Sequence, residues 1–556
     1  MQSADALSSR FSRQVLLFLT GIVAIAALLR LYKLGEWSFW VDEMWTLYRT
    51  PNVFDSPAKF IFSAASEKII RIAQLLFSTS EFSTRLFPAL IGIATIPALF
   101  VLARRVFGVV VALLACALLA VSPWHIYFSQ NARYFALFIL LYMLTAFAFY
   151  FSLERNRFSY LILSVVLLGF TFIERGFGLF LVIAFDAYIV LLPLLRFQRP
   201  PGYNRRLVLL FIVLPLVGYV LFEVYQLLTG GQTFFARFLN TAYLGEGTNM
   251  LPQWVLTNTI DYIGNPLSCL AVYGAIVLLW QRKREGLFFS LIAFSPVLIL
   301  TGIAFIGRAE IRYSMGTLPF WALLAAFGVR DLFAQVQKRR VLVPLAVLLS
   351  IVAVSAQDDF IRAARLYFGN GFLVGVLAFL GITALAFAVL RLQKRNAARA
   401  LLYAVVLSLV VNPLLVDGIY YFYQHGFRDD YRAAAQVVSQ QMKPNELVYT
   451  STLLLGEYYV GKQARAMREE DGYRTDGFLE GAVNINTMFK DNQDVWFLED
   501  LIVDTMTEYQ FIPWSEKYCQ RVGIFDGYQA ASYSKLQVFH CTTQQQVNRD
   551  QGNSAG

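Results

Sequence analysis

Two adjacent carboxylates, Asp42 and Glu43, sit among aromatic rings in the stretch "GEWSFWVDEMWTL", directly after an apolar run. Further along, ionisable residues recur at the ends of other apolar runs: Arg85, His125, Arg133, Glu174, Arg175, Arg237, Asp261, Arg308, Glu310 and Arg312. Charge at membrane depth is costly, so each of these needs a reason to be there. A carboxylate held at an interface can take the proton of an acceptor hydroxyl. Arginine's planar fork suits phosphate oxygens and the charge that develops on a departing phosphate. One base with several arginines is therefore an economical set for moving a sugar off a lipid phosphate. Glycoside hydrolysis differs, because there a second carboxyl must protonate the leaving group.

The elements that position these groups are read from apolar patterning. The chain has 556 residues, 57% of them hydrophobic and only 15% charged, with a mean hydropathy of +0.54. Apolar runs of roughly 17–25 residues read as membrane spans. The pattern predicts thirteen: 15–32, 85–103, 108–123, 134–153, 158–174, 177–195, 207–228, 262–280, 286–306, 313–334, 341–356, 371–391 and 400–423. Basic clusters such as Arg104 and Arg105, Arg282 to Arg284 and Lys338 to Arg340 mark every second junction. By the positive-inside rule those junctions are cytoplasmic. The net charge of +10 thus encodes topology and gives no reason to expect a nucleic-acid partner. With the N-terminus inside and an uncleaved first span, the last 130 or so residues lie outside.

This organisation predicts a polytopic α-helical domain over 1–424, with a catalytic outside loop at 33–84, and a soluble α/β domain over 425–556. Within the loop, Ile61, Ala65, Ile69, Ile72 and Leu76 recur near helical spacing, as in a segment lying in the membrane interface or a surface helix. In the last region "FRDDYRAAAQVVSQQM" has helical spacing, while "NELVYTS", "DVWFLEDLIV" and "VGIFDGYQAASYSKLQVFHC" read as strands. The polar tail "TTQQQVNRDQGNSAG" reads as disordered. Cys116 and Cys269 read as small buried hydrophobes, and Cys519 and Cys541 as a disulfide candidate in an oxidising compartment.

Four stretches, in order, carry a family resemblance: "WSFWVDEMWT", "SEFSTRLFPALIGIATIPALFVLARRVFG", "VSPWHIYFSQNARYFALFILL" and "EIRYSMGTLPFWALLAAFGV". They resemble the protein O-mannosyltransferase-like branch of the GT-C glycosyltransferases. The count of spans followed by an outside domain is similar to the lipid A aminoarabinose transferases. The resemblance implies a GT-C fold, an inverting transfer from a polyprenyl-phosphate sugar, and Asp42 as base with Glu43 as its acidic neighbour. It places Arg175 and Arg312 toward the donor phosphate and leaves Arg133 and Tyr134 in their places; beside it, Arg133 and Arg308 are read as further phosphate contacts and His125, Tyr134 and Tyr313 as substrate-positioning residues. The family's usual Glu is replaced by Asn131, which removes a second acidic role there.

Simpler roles compete. Asp42 and Glu43 suit the first turn of a helix, Arg85 and Arg133 suit structural ion pairs, His125 suits an interfacial position, and Trp37, Trp40 and Trp45 suit an aromatic belt. No obligatory metal or other cofactor is expected. The expected partners are the lipid-linked donor, the membrane and an acceptor protein, lipid A or cell-envelope glycan, at a bacterial cytoplasmic membrane. A transporter or flippase of lipid-linked sugars is the alternative; it would show repeated broken half-helices, whereas the charges here gather on one face.

Overall fold

The computed structural model describes residues 13–204, 252–305, 309–355, 394–422, 425–450, 452–466, 494–499, 515–517, 519–526 and 535–542, with scattered positions between 207 and 228. The chain forms two compact units. The first comprises Met1–Tyr32, Ile61–Ser66 and Pro88–Val416, and the second Lys33–Phe60, Glu67–Phe87 and Asp417–Gly556. Most of the 33–84 loop thus groups with the residues from Asp417 onward.

The first unit is helical. Seven helices among the described residues are long and apolar enough to cross a membrane: Arg13–Leu31, Glu81–Phe107, Phe135–Arg155, Gly176–Leu194, Arg284–Ile303, Ile311–Gln337 and Asn396–Phe422. An eighth candidate is the pair Val109–Ala120 and Pro123–Ser129, bent by 64°. Phe158–Glu174, Asn265–Trp280 and Leu342–Val354 are apolar but shorter. Eleven of the thirteen expected spans thus coincide with helices; 371–391 lies outside the described residues, and 207–228 largely does. The chain is a multi-pass membrane protein, and the Arg13–Leu31 helix turns Leu16, Leu17, Phe18 and Leu28 outward, as a lipid-facing helix would.

Close helix approach uses small residues. A Cβ at Gly274 would lie 2.1 Å from the Leu324 carbonyl oxygen, and one at Gly328 would lie 2.6 Å from that of Leu270. The backbones of Asn265–Trp280 and Leu318–Gln337 thus meet where side chains are missing, the packing that membrane helices favour.

The second unit carries a five-stranded sheet of β1 (Leu447–Thr450), β2 (Ala464–Ala466), β3 (Val495–Glu499), β4 (Gln520–Asp526) and β5 (Lys535–Cys541) in the order β2-β1-β3-β5-β4. β1 is parallel to β2 and β3, and β5 is antiparallel to β3 and β4. Every residue of β3 is buried, which explains its unbroken apolar run. Cys519 and Cys541 form the expected disulfide. Of the other cysteines, Cys116 is buried and Cys269 half-buried. The predicted tail, from 543 onward, lies outside the described residues.

The amphipathic stretch forms two helices, Pro57–Phe62 and Ala65–Phe77. Its buried face is Ser66, Ile70, Ala73 and Gln74, while Ile61, Ile72 and Leu76 of the expected stripe stay exposed. The helical phase that packs is one residue away from the apolar one, and Thr50 Oγ1 donates to Gln74 Oε1 at 3.0 Å on its buried face.

Candidate active-site residues

In the second unit, Val41–Arg49 forms a short helix whose first turn holds both acids. Successive helical residues point about 100° apart, so the pair divides. Glu43 is fully buried and Asp42 half-buried. Arg85 grips Glu43 with both edges of its fork, Nε to Oε1 at 2.8 Å and Nη2 to Oε2 at 2.6 Å. Arg428 Nε lies 3.4 Å from Glu43 Oε2, and the Trp40 backbone N–H donates to the same oxygen at 3.3 Å. Glu43 therefore caps and anchors the helix. Expected as the acidic neighbour of the base, Glu43 is a buried structural group whose charge is matched by two guanidinium groups.

Arg85 further donates to the Trp37 and Ser38 carbonyl oxygens at 2.8 and 2.9 Å. The preceding loop is held by residues some 400 positions later. Ser38 N–H donates to His425 Nε2 at 3.0 Å, and Phe39 N–H donates to the Tyr459 hydroxyl, which donates to Glu81 at 2.7 Å. Gly426 adopts φ +63°, and a Cβ there would meet Trp37 Cγ at 2.7 Å. Trp37 is buried against Tyr420, Tyr421 and His425, so it is a packing residue; Trp40 and Trp45 are half-buried. Burial pushes His425 down to about 4, against the pull of Asp430 and with help from Arg428, Arg85 and Arg432. Its Nε2 thus stays an acceptor for Ser38.

In the first unit, Ser122 and Pro123 start the helix Pro123–Ser129. His125 within it is fully buried, and its Nδ1 lies 2.6 Å from Arg30 Nη2. Arg30 also donates to the carbonyl oxygens of Ala26, Leu119 and Ala120 at 3.1, 3.2 and 2.9 Å. His125 therefore secures a helix junction, and its expected contact with substrate is corrected on that ground. Gln130 Nε2 donates to the carbonyl oxygens of Leu29, Arg30 and Tyr32, fixing the start of "QNARY".

That segment presents arginines. Tyr134 is buried, with the guanidinium of Arg175 4.2 Å and that of Arg133 5.4 Å from its ring centre. Phe177, two residues beyond Arg175, stacks on Tyr313 at 4.1 Å, which brings the 175–177 and 310–313 segments together. Arg312 pairs with Glu310 at 2.6 Å. Arg133, Arg175 and Arg312 are all half-buried, and Arg175 Nε has no hydrogen-bond partner among the described residues. Glu174, beside them, accepts from the Ser66 N–H and faces away from this role. Arg308 and Arg237 lie outside the described residues, as does the Asp261 side chain.

A family model described as dolichyl-phosphate-mannose-protein mannosyltransferase matches residues 66–219, a stretch that contains Arg133, Tyr134 and Arg175. None of the curated proteins matches. Among solved structures, the chain is similar to ArnT from Cupriavidus metallidurans in the apo state, 15% identical over 96% of this chain and 98% of that one, with a TM-score of 0.52. It is similar to the same protein bound to undecaprenyl phosphate, 16% identical over the same shares, TM-score 0.53. The apo oligosaccharyltransferase of Archaeoglobus fulgidus aligns over 94% of this chain and 75% of its own, 14% identical, TM-score 0.56. The chain has the GT-C glycosyltransferase fold. In a chain of this fold, sequence reasoning missed the Arg30–His125 and Arg428–Glu43 contacts. Their partners lie tens to hundreds of residues away, and no local spacing signals them.

Proposed function

We propose that this protein transfers a sugar from a polyprenyl-phosphate donor to a hydroxyl or phosphate acceptor on a protein, lipid A or a cell-envelope glycan. The reaction takes place on the outer side of a bacterial cytoplasmic membrane, with inversion. The observation that carries the reading is the arginine group of the first unit, Arg133 and Arg175 held on Tyr134 beside Arg312, in a chain whose structural relative was solved with undecaprenyl phosphate. Two cations on a fixed aromatic support need little reorganisation as charge grows on the leaving phosphate. Asp42, the half-buried member of the acidic pair, accepts the acceptor's proton. The acceptor oxygen then attacks the anomeric carbon, and the phosphate leaves with its bonding electrons. A single displacement inverts that carbon.

With Glu43 committed to Arg85 and Arg428, the acidic pair does not offer two carboxylates to one cation. Transfer accordingly proceeds without an obligatory metal at Asp42. The deciding measurement uses purified protein in liposomes with a radiolabelled polyprenyl-phosphate sugar and a membrane extract as acceptor. Label moving from lipid to acceptor supports transfer. Label crossing the bilayer while still on its lipid overturns the reading in favour of flipping.

A further inference from the structure

The strand register of the second unit gathers a set of metal-ligating groups far along the chain from Asp42. Leu447 pairs with Val495, so Glu446 and Asp494 lie side by side one position earlier on β1 and β3. Trp496 pairs with His540 across β3 and β5. Because strand side chains alternate, Glu446, Asp494, Trp496 and His540 share one face at one end of the sheet. One ligand atom from each of Glu446, Asp494 and His540 lies within 4.8 Å of the other two.

The local contacts aim these atoms. Glu446 Oε2 is occupied, accepting from Trp496 Nε1 at 2.7 Å and from the Lys443 N–H at 3.0 Å. Its other oxygen, Oε1, is buried and has no hydrogen-bond partner among the described residues; the same holds for His540 Nε2, 3.8 Å away. Glu446 is only 4% exposed. The Trp496 ring stacks on His540 at 4.2 Å and fixes the imidazole plane. The disulfide from Cys541 to Cys519 anchors the strand next to His540.

A buried carboxylate oxygen facing a buried imidazole nitrogen with no hydrogen bond to either is costly unless something joins them. Lys443 Nζ approaches Glu446 Oε1 and Asp494 Oδ2 at 3.6 and 3.7 Å, beyond hydrogen-bond reach, and its side chain is 71% exposed. Two ligand atoms on one tetrahedral zinc stand roughly 3.3–3.5 Å apart, so a contraction of a few tenths of an ångström brings Glu446 and His540 to ligation. One imidazole with two carboxylates suits a divalent transition cation of the zinc class.

We infer that Glu446, Asp494 and His540 bind such a cation, which clamps β1, β3 and β5 at one end of the sheet. Water completes the coordination, and Lys443 swings out as the cation enters. The site is independent of the proposed sugar transfer.

The test uses full-length, untagged protein in detergent, stripped with EDTA and titrated with Co2+ for its visible spectrum and with Zn2+ against a chelating dye. One equivalent is expected to bind, with Zn2+ displacing Co2+. His540→Gln and Asp494→Asn should each weaken binding at least tenfold, whereas His425→Gln leaves it unchanged. Lys443→Met, an exposed change that spares the fold, should tighten binding severalfold by removing the competing cation. No Co2+ spectrum in the wild type, or equal affinity with and without His540, overturns the inference. So does a Lys443→Met protein that is destabilised and binds no better, because Lys443 would then be the resident cation.

Discussion

The arginines of the second unit and those of the first are the same residue put to opposite uses. Arg85 and Arg428 are fully buried, with Arg85 spending its fork on Glu43 and on backbone carbonyls of the 34–38 loop. Arg133, Arg175 and Arg312 are half-buried and set on or beside aromatic rings, with Arg312 also paired to Glu310. A guanidinium fully buried against a carboxylate and backbone carbonyls holds a fold together, whereas a half-buried one stacked on a ring can still meet an anion at its edge. The acidic pair divides in the same way, Glu43 inward and Asp42 outward.

The sharpest way to break the contrast is to neutralise each acid in turn. Asp42→Asn should lower transfer about 100- to 10,000-fold, the range for a lost general base, with the melting temperature unchanged. Glu43→Gln should instead unfold the second unit at lower temperature, since one uncompensated buried charge costs about 3–5 kcal/mol. If both variants lose only activity, the division fails. Next in size, Arg175→Ala should raise the donor KM roughly tenfold or more at constant stability, as loss of a charge-assisted hydrogen bond would. Arg85→Ala should lose yield before any change in KM can be measured. The smallest effect is pH dependence. Folded His425 titrates near 4, below the ordinary value of 6.5, so the unfolded chain binds the extra proton between those values. Stability from this group is complete above roughly pH 6.5 and falls on acidification, by about 1.4 kcal/mol at pH 5.5. Thermal melts of wild type and His425→Gln should converge as pH drops.

Helix positions were legible because long apolar runs leave few alternatives, and the β strands because Val448, Trp496, Phe497 and Val538 lie in short buried runs. The site was legible by residue type and not by role. "WSFWVDEMWT" shows two equivalent acids, and only the helical phase of Val41–Arg49 with Arg428 behind it separates them. His125 looks available beside Trp124, yet Arg30, 95 residues earlier, closes over it. Helix Leu453–Tyr459 and strand β2 were missed because each is too short to show a period.

The second unit is discontinuous in sequence, and this has a consequence for biosynthesis. Its first pieces end at Phe87, and its remainder begins at Asp417, about 330 residues later. At about 5–20 residues per second, the ribosome takes roughly 15–65 s to cross that gap. During this interval Arg85 can already hold Glu43, but Arg428, His425 and Tyr459 do not yet exist. Ser38 and Phe39 therefore wait with open backbone N–H groups while the intervening helices are inserted. The aromatic loop carrying Asp42 is among the first segments made and among the last to be completed.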